Sequence, residues 1–310
     1  MRRCLFVLAL TAVLALASGG VALAQATAPP AGWSAADCLT CHEKAAGSPT
    51  FQHSKHAGLT ESCASCHKNV AEHAKAQMAG EKGPVPSVKA LKANDINTTC
   101  LSCHEKDNRS SYLSSMHARR NVACTACHSV HDAKSAKAQL KTKVAADTCY
   151  TCHKAQRALS MRTSHHPVRE GRMDCTSCHD PHEGSRPQMI KADQVNELCY
   201  TCHAEKRGPF LFEHAPVRED CVSCHEPHGT NHPRLLTQKL PNLCWNCHFT
   251  GSGHFGSGDN FSTEEGVPVA PAGAPSGYPT VNSRFVERAC RTCHVKVHGS
   301  NHPSGAFLVR

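Results

Sequence analysis

Cys221-Val222-Ser223-Cys224-His225-Glu226-Pro227-His228 decides how the rest of the chain is read. Two thiols three positions apart lie on one turn of backbone, with an imidazole directly behind them. C-x-x-C-H is the attachment pattern of a c-type haem: each thiol can form a thioether to a vinyl group, and the histidine supplies one axial nitrogen to the iron. Moving outward from Cys221, the pattern recurs until there are ten copies in 310 residues. The thioether pairs are Cys38 and Cys41, Cys63 and Cys66, Cys100 and Cys103, Cys124 and Cys127, Cys149 and Cys152, Cys175 and Cys178, Cys199 and Cys202, Cys221 and Cys224, Cys244 and Cys247, and Cys290 and Cys293. The proximal iron ligands are then His42, His67, His104, His128, His153, His179, His203, His225, His248 and His294. Of 21 cysteines only Cys4 stands outside the pattern. Structural zinc uses pairs of C-x-x-C pairs without requiring a following histidine each time. Disulfides explain no following histidine at all. Ten covalently bound haems c are therefore expected.

The composition agrees. Only 9 Phe, 4 Tyr and 2 Trp are present, and the 40% hydrophobic fraction counts every cysteine. A globule of this length normally buries most of its unfolded surface behind large side chains. This chain lacks them, so porphyrin is expected to serve as the core. A conventional α/β enzyme, a β-sandwich and a coiled coil are all disfavoured. The formal charge of +9 carries no basic run with interleaved aromatics, so no nucleic-acid partner is expected. Haem propionates would outweigh that surplus.

Residues 1–24 read as a secretory signal peptide. Arg2 and Arg3 precede an apolar run from Leu5 to Leu16, and Ala22-Leu23-Ala24 is a small-residue cleavage site. The apolar run is shorter than the roughly 20 residues of a membrane span. An exported, periplasmic chain follows.

The motifs alternate between two kinds, giving five units of two. The leading motif of each unit ends a short polar-apolar stretch, such as Val195-Asn196-Glu197-Leu198 before Cys199. The trailing motif is bracketed by histidines. His56, His117 and His214 stand seven residues before its first cysteine, and His165 stands ten before Cys175. The shared text His165-His166-Pro167-Val168-Arg169-Glu170 and His214-Ala215-Pro216-Val217-Arg218-Glu219 makes His165 the counterpart of His214. His73, His131, His182, His228 and His298 follow the trailing motifs, and the upstream position of the fifth unit falls to His254. These ten are the candidate distal ligands, and His53, His166, His232 and His302 are left over. Methionines do not repeat with the motifs. An iron with imidazole on both faces changes oxidation state without changing ligands, which suits electron transfer and leaves no site for a substrate. No catalytic residue is expected.

Motif starts are separated by 25, 37, 24, 25, 26, 24, 22, 23 and 46 residues. The near-constant period implies equivalent steps and a quasi-linear, elongated molecule. Gly251 to Pro279 reads as an irregular loop. Short helices are expected beside the motifs, at Ser87 to Ala93, Lys154 to Arg162 and Lys191 to Leu198, with little or no β-structure.

The ten motifs, the stretch Cys221 to Pro233 and the closing Val297-His298-Gly299-Ser300-Asn301-His302-Pro303 resemble the MtrA/DmsE (PioA/MtoA) decahaem c-type cytochromes. The resemblance implies a haem wire of two pentahaem halves, residues 25–160 and 161–310. It implies bis-histidine haems and insertion into an outer-membrane β-barrel porin of the MtrB type. It also implies a periplasmic or inner-membrane quinol-oxidising cytochrome on one side, and a surface multihaem cytochrome or terminal reductase on the other. A soluble periplasmic shuttle is the alternative. A multihaem reductase would need an open axial position, against which the supply of histidine argues.

Overall fold

The computed structural model describes residues 35–42, 49–59, 62–106, 109–248, 268–269, 281–282 and 290–309. The signal sequence, His254 and most of the 251–279 loop lie outside the described residues.

Among the described residues no helix exceeds nine residues, the length of Val70–Met78 and Ala93–Leu101. Isolated helices this short are marginal in water. What fixes them is the motif itself. The backbone N–H of the motif histidine bonds the carbonyl of the first cysteine at 2.8 Å from His67 to Cys63 and 2.9 Å from His203 to Cys199, with the same bond at His104, His128, His153, His179, His225 and His294. Each motif is thus one closed turn, with both thiols and the imidazole on its rim.

The two kinds of motif differ from there. Leading motifs sit in the last turn of α-helices, at Ala35–His42, Ala93–Leu101, Ala145–Tyr150, Val195–Tyr200 and Asn242–His248. Trailing motifs are single turns, α-helical at Ser62–Cys66 and Cys124–Cys127 and 3-10 at Cys175–Ser177, Cys221–Ser223 and Cys290–Thr292. The helices expected beside the motifs are displaced towards them. Residues 191–194 are not helical, because the Lys191 N–H closes a loop onto the Cys178 carbonyl at 2.9 Å, and the helix begins at Val195. The Ser87 to Ala93 stretch yields only a 3-10 turn, Val88–Ala90, before extended backbone at Leu91 and Lys92 starts the next helix. Lys154–Ser160 forms as expected.

After each of three trailing motifs the chain makes the same loop and returns. Ser129, Asp180 and Glu226 donate to the carbonyls of Gln139, Met189 and Leu235, while Lys141, Lys191 and Thr237 donate back to Cys127, Cys178 and Cys224. The return passes through two consecutive left-handed residues, Ala138 and Gln139, Gln188 and Met189, or Arg234 and Leu235.

Neighbouring units hook together through these loops. Ser164 pairs with Thr230 and Phe212 with Ser300 as isolated antiparallel bridges, and Ser111 donates its hydroxyl to the His182 carbonyl. In each case the segment leading to one trailing motif docks on the loop following the next. Gly229, at φ 142°, permits the approach: a Cβ there would overlap the Leu159 carbonyl oxygen. The hook between Ser111 and His182 crosses residues 160 and 161.

Among the described residues the apolar core is small. Six of their hydrophobic residues are buried, Ile96, Tyr112, Ala133, Ala146, Ile190 and Leu308, fewer than the eight buried polar or charged ones. Two of the latter are clamps. Asn97 and Asn196, 1% and 6% exposed, accept from the backbone N–H of Cys124 and Cys221 and donate to carbonyls at Val122 and at Val217 and Arg218. Each ties a leading helix to the start of the trailing motif of its unit. Among the described residues strand is confined to Pro268–Val269 pairing antiparallel with Val281–Asn282, besides isolated bridges. No helix among the described residues is long and apolar enough to cross a membrane.

Candidate haem sites

Among the described residues, nine motif histidines face a second imidazole across a near-constant gap. His42 faces His73 at 6.0 Å between ring centroids, His67 faces His131 at 6.1 Å, His104 faces His56 at 5.8 Å, and His128 faces His182 at 6.1 Å. His153 faces His117 at 6.1 Å, His179 faces His228 at 6.2 Å, and His203 faces His166 at 6.4 Å. His225 faces His298 at 6.2 Å and His248 faces His214 at 6.1 Å. Two metal–nitrogen bonds of about 2 Å plus two ring radii come to about 6 Å. The gap therefore fits one iron between two axial nitrogens.

The pairing obeys a rule. From the second unit on, the leading-motif histidine faces the upstream histidine of the preceding unit. Up to the fourth unit, the trailing-motif histidine faces the downstream histidine of the following unit. The hooked loops therefore place the two imidazoles of eight gaps on different units. The exception is the first unit, where His42 faces His73 of its own unit.

One placement corrects the sequence expectation. His166, not His165, faces His203. Three residues more separate the shared Pro-Val-Arg-Glu text from Cys175 than from Cys221. In the shorter version that text forms the helix Ala215–Glu219, whereas residues 167–171 make a turn closed by Gly171 at φ 68°. The turn folds His165 back on itself: Nδ1 donates to the Arg162 carbonyl at 2.6 Å, and Nε2 lies 3.1 Å from Glu170 Oε1. His166 is freed to point across the gap, with Nδ1 donating to the Pro227 carbonyl at 2.8 Å. Among the other left-over histidines, His53 is exposed, and His232 and His302 lie in turns around Thr230 and Ser300.

Ring orientation is fixed from behind. In every trailing motif Nδ1 of the histidine donates to a returning backbone carbonyl: His67 to Pro86, His128 to Ala138, His179 to Gln188, His225 to Arg234 and His294 to Phe307, at 2.5–2.9 Å. That bond selects the tautomer whose Nε2 lone pair faces the gap. The facing histidines are held alike: Nδ1 of His73 donates to Pro84, of His117 to Pro181 and of His214 to Val297. Burial holds His56, His153, His182, His214 and His298 below the ordinary histidine pKa, favouring the neutral form a metal needs.

The thiols form a continuous series. Within units Cys38 meets Cys63, Cys100 meets Cys124, Cys149 meets Cys175, Cys199 meets Cys221 and Cys244 meets Cys290. Between units Cys66 lies near Cys100 and Cys103, Cys127 near Cys152, Cys178 near Cys199 and Cys202, and Cys224 near Cys247. Consecutive attachment points therefore adjoin from the first motif to the last. No group of three or more His, Cys, Asp or Glu among the described residues converges as a protein-only metal site.

The doubled CXXCH motif family matches residues 117–158, 165–208 and 214–252. The chain is 39% identical over 286 residues to the multiheme cytochrome MtrA of Shewanella baltica (strain OS185), covering 88% of this chain and 80% of the relative. The chain belongs to the MtrA family of multihaem cytochromes. Shorter matches are to the cytochrome c-type protein NrfB of Escherichia coli O6:H1, 28% identical over 39% of this chain and 66% of that protein, and of Haemophilus influenzae, 27% identical over 32% and 46%. As an MtrA-family cytochrome the chain carries covalent c-type haems and transfers electrons.

Proposed function

We propose that this MtrA-family chain is a decahaem conduit, without a substrate-binding haem, that carries electrons between the periplasm and the cell exterior inside an outer-membrane β-barrel. The observation that carries it is the nine facing imidazole pairs. With both axial positions taken by protein, an iron can pass an electron on but cannot bind a substrate. The haem supplies one-electron chemistry. The polypeptide supplies the two nitrogens, the tautomer that directs them, and adjoining attachment points that keep successive haems close. The distal ligands on this reading are His56, His73, His117, His131, His166, His182, His214, His228 and His298. His254, the upstream histidine of the fifth unit and outside the described residues, is the proposed tenth, opposite His294.

Export by the 1–24 signal, the porin, and the quinol-oxidising and surface partners belong to this proposal and rest on the family. The two halves, 25–160 and 161–310, are read as two groups of five haems on one interlocked chain. On this reading, membrane association comes through the barrel partner. The test has three parts on the protein purified from native membranes. A haem assay should give ten per chain. Electron paramagnetic resonance should show only low-spin signals, and His166→Ala, but not His165→Ala, should convert one haem to high-spin. A β-barrel should co-purify; its absence with ten low-spin haems would favour the soluble shuttle, and a stoichiometric high-spin haem in the unaltered protein would favour a reductase.

A further inference from the structure

Four trailing motifs offer a comparison inside one molecule. At His128, His179 and His225 the proximal side is the same, with Nδ1 donating to a returning carbonyl at 2.6, 2.9 and 2.8 Å. His67 repeats it at 2.7 Å. The facing side differs in the residue two positions before the second histidine. It is Ser129 before His131, Asp180 before His182, Glu226 before His228 and Lys296 before His298.

The geometry at Glu226 is the most developed. Its Oε1 accepts Nδ1–H of His228 at 2.9 Å and the His228 backbone N–H at 3.1 Å. Asp180 Oδ1 accepts the His182 backbone N–H at 3.0 Å but stands 3.6 Å from Nδ1, beyond hydrogen-bond range. Arg109 also lies near His182 and opposes it. His298 has cations for neighbours, Lys206 and Arg291.

A carboxylate on the far nitrogen of a metal-bound imidazole makes that imidazole a stronger donor and fixes its orientation. It also sets a negative charge within a few ångströms of the iron. Reduction adds one electron from a solution mediator and lowers the iron's charge by one, with no bond made or broken. Both effects favour the oxidised form. Hydrogen bonding around the ligands is one of the levers by which proteins tune haem potentials.

We propose that Glu226 is a potential-setting residue, making the haem between His179 and His228 harder to reduce than the haem between His225 and His298, with Asp180 acting the same way, more weakly, on the haem between His128 and His182. Electrons moving along the chain then cross a low-potential stretch in its middle. The proposal rests on the bis-histidine reading above.

The test is mediated redox titration of the full-length holoprotein, followed by haem absorbance and electron paramagnetic resonance. Glu226→Gln should move one haem in ten to higher potential and leave every haem low-spin; Glu226→Asp should move it back. Lys296→Glu, an exposed change at the matching position, should move a different haem to lower potential. Unchanged titration curves in both Glu226→Gln and Lys296→Glu, with His228→Ala still producing one high-spin haem, would overturn the tuning and leave the ligation standing. A His228→Ala protein that stays wholly low-spin would overturn the ligation and the tuning together.

Discussion

Cys199–His203 and Cys221–His225 lie 22 residues apart in one unit and share one attachment pattern, yet they are built as opposites. The first ends a helix, and its histidine is exposed, 3.9 Å from the exposed Glu205 carboxylate. The second is a single 3-10 turn whose half-buried histidine is pinned to the Arg234 carbonyl at 2.8 Å. The first faces a histidine from the unit before, and the second one from the unit after. Three shared letters at one spacing, two Cys and a His, fix how the cofactor is attached. The flanking thirty residues fix who faces it and how rigidly. That asymmetry also makes the array interlock, because each unit reaches in both directions along the chain.

The most direct way to break the comparison is to remove one facing imidazole from each kind. His214→Ala should leave the iron of His248 five-coordinate, and His298→Ala the iron of His225. Each should convert one haem in ten to high-spin, read by electron paramagnetic resonance. His302→Ala, four residues beyond His298, should convert none. A high-spin haem in His302→Ala would show that the closing turn, rather than the loop before it, faces the trailing motif.

The next effect concerns the hook. Gly229 stands at φ 142° against the Leu159 carbonyl, so Gly229→Ala combines backbone strain with an overlap that the facing main chain must relieve. A loss of about 3 kcal/mol is expected. Gly171, at φ 68° with open space around its Cβ direction, is the control. Gly171→Ala should cost only the left-handed penalty of about 1 kcal/mol. Thermal melting of the two holoproteins checks the difference, and equal midpoints would show that the loop, not the hook, sets stability.

Much of this was legible in the chain and some was not, for physical reasons. The thioether cysteines and proximal histidines are a local pattern, complete within five residues. The facing histidines His56, His117 and His214 were legible because their offset from the trailing motif is constant. His166 was not, because matching text, His165 to Glu170 against His214 to Glu219, hid a loop difference that turns a helix into a turn. The signal lay in the three extra residues before Cys175. The rule that the two imidazoles of a gap come from different units is long-range: it depends on bridges such as Ser164 to Thr230, for which no sequence period exists. The helices were misplaced at Ser87 and Lys191 because the carbonyl return of each loop, a tertiary demand, overrides local helix preference.

The smallest of these effects tests how the two kinds of motif are joined. Asn196, on the leading helix, accepts from the Cys221 N–H at 2.7 Å and donates to the Val217 and Arg218 carbonyls at 3.0 and 2.9 Å. It is buried, so Asn196→Ala leaves one donor and two acceptors wanting, and about 2 kcal/mol of stability should be lost. Asn196→Asp sharpens the point. A carboxylate can still accept from Cys221, but it turns a second oxygen towards two carbonyls that need a donor. It should therefore be no better than alanine. Asn97, which makes the equivalent bonds to Cys124 and Val122, should respond the same way. The third unit has Ala146 at this position and starts its trailing motif differently, with Ser177 accepting from the Asp174 N–H at 3.2 Å. Ser177→Ala should cost less than Asn196→Ala, because that bond is exposed and water can replace it. If melting of the holoproteins showed the aspartate variant as stable as the parent, the clamp would act through acceptance alone, and the leading helix would be tied to its trailing partner by one bond rather than three.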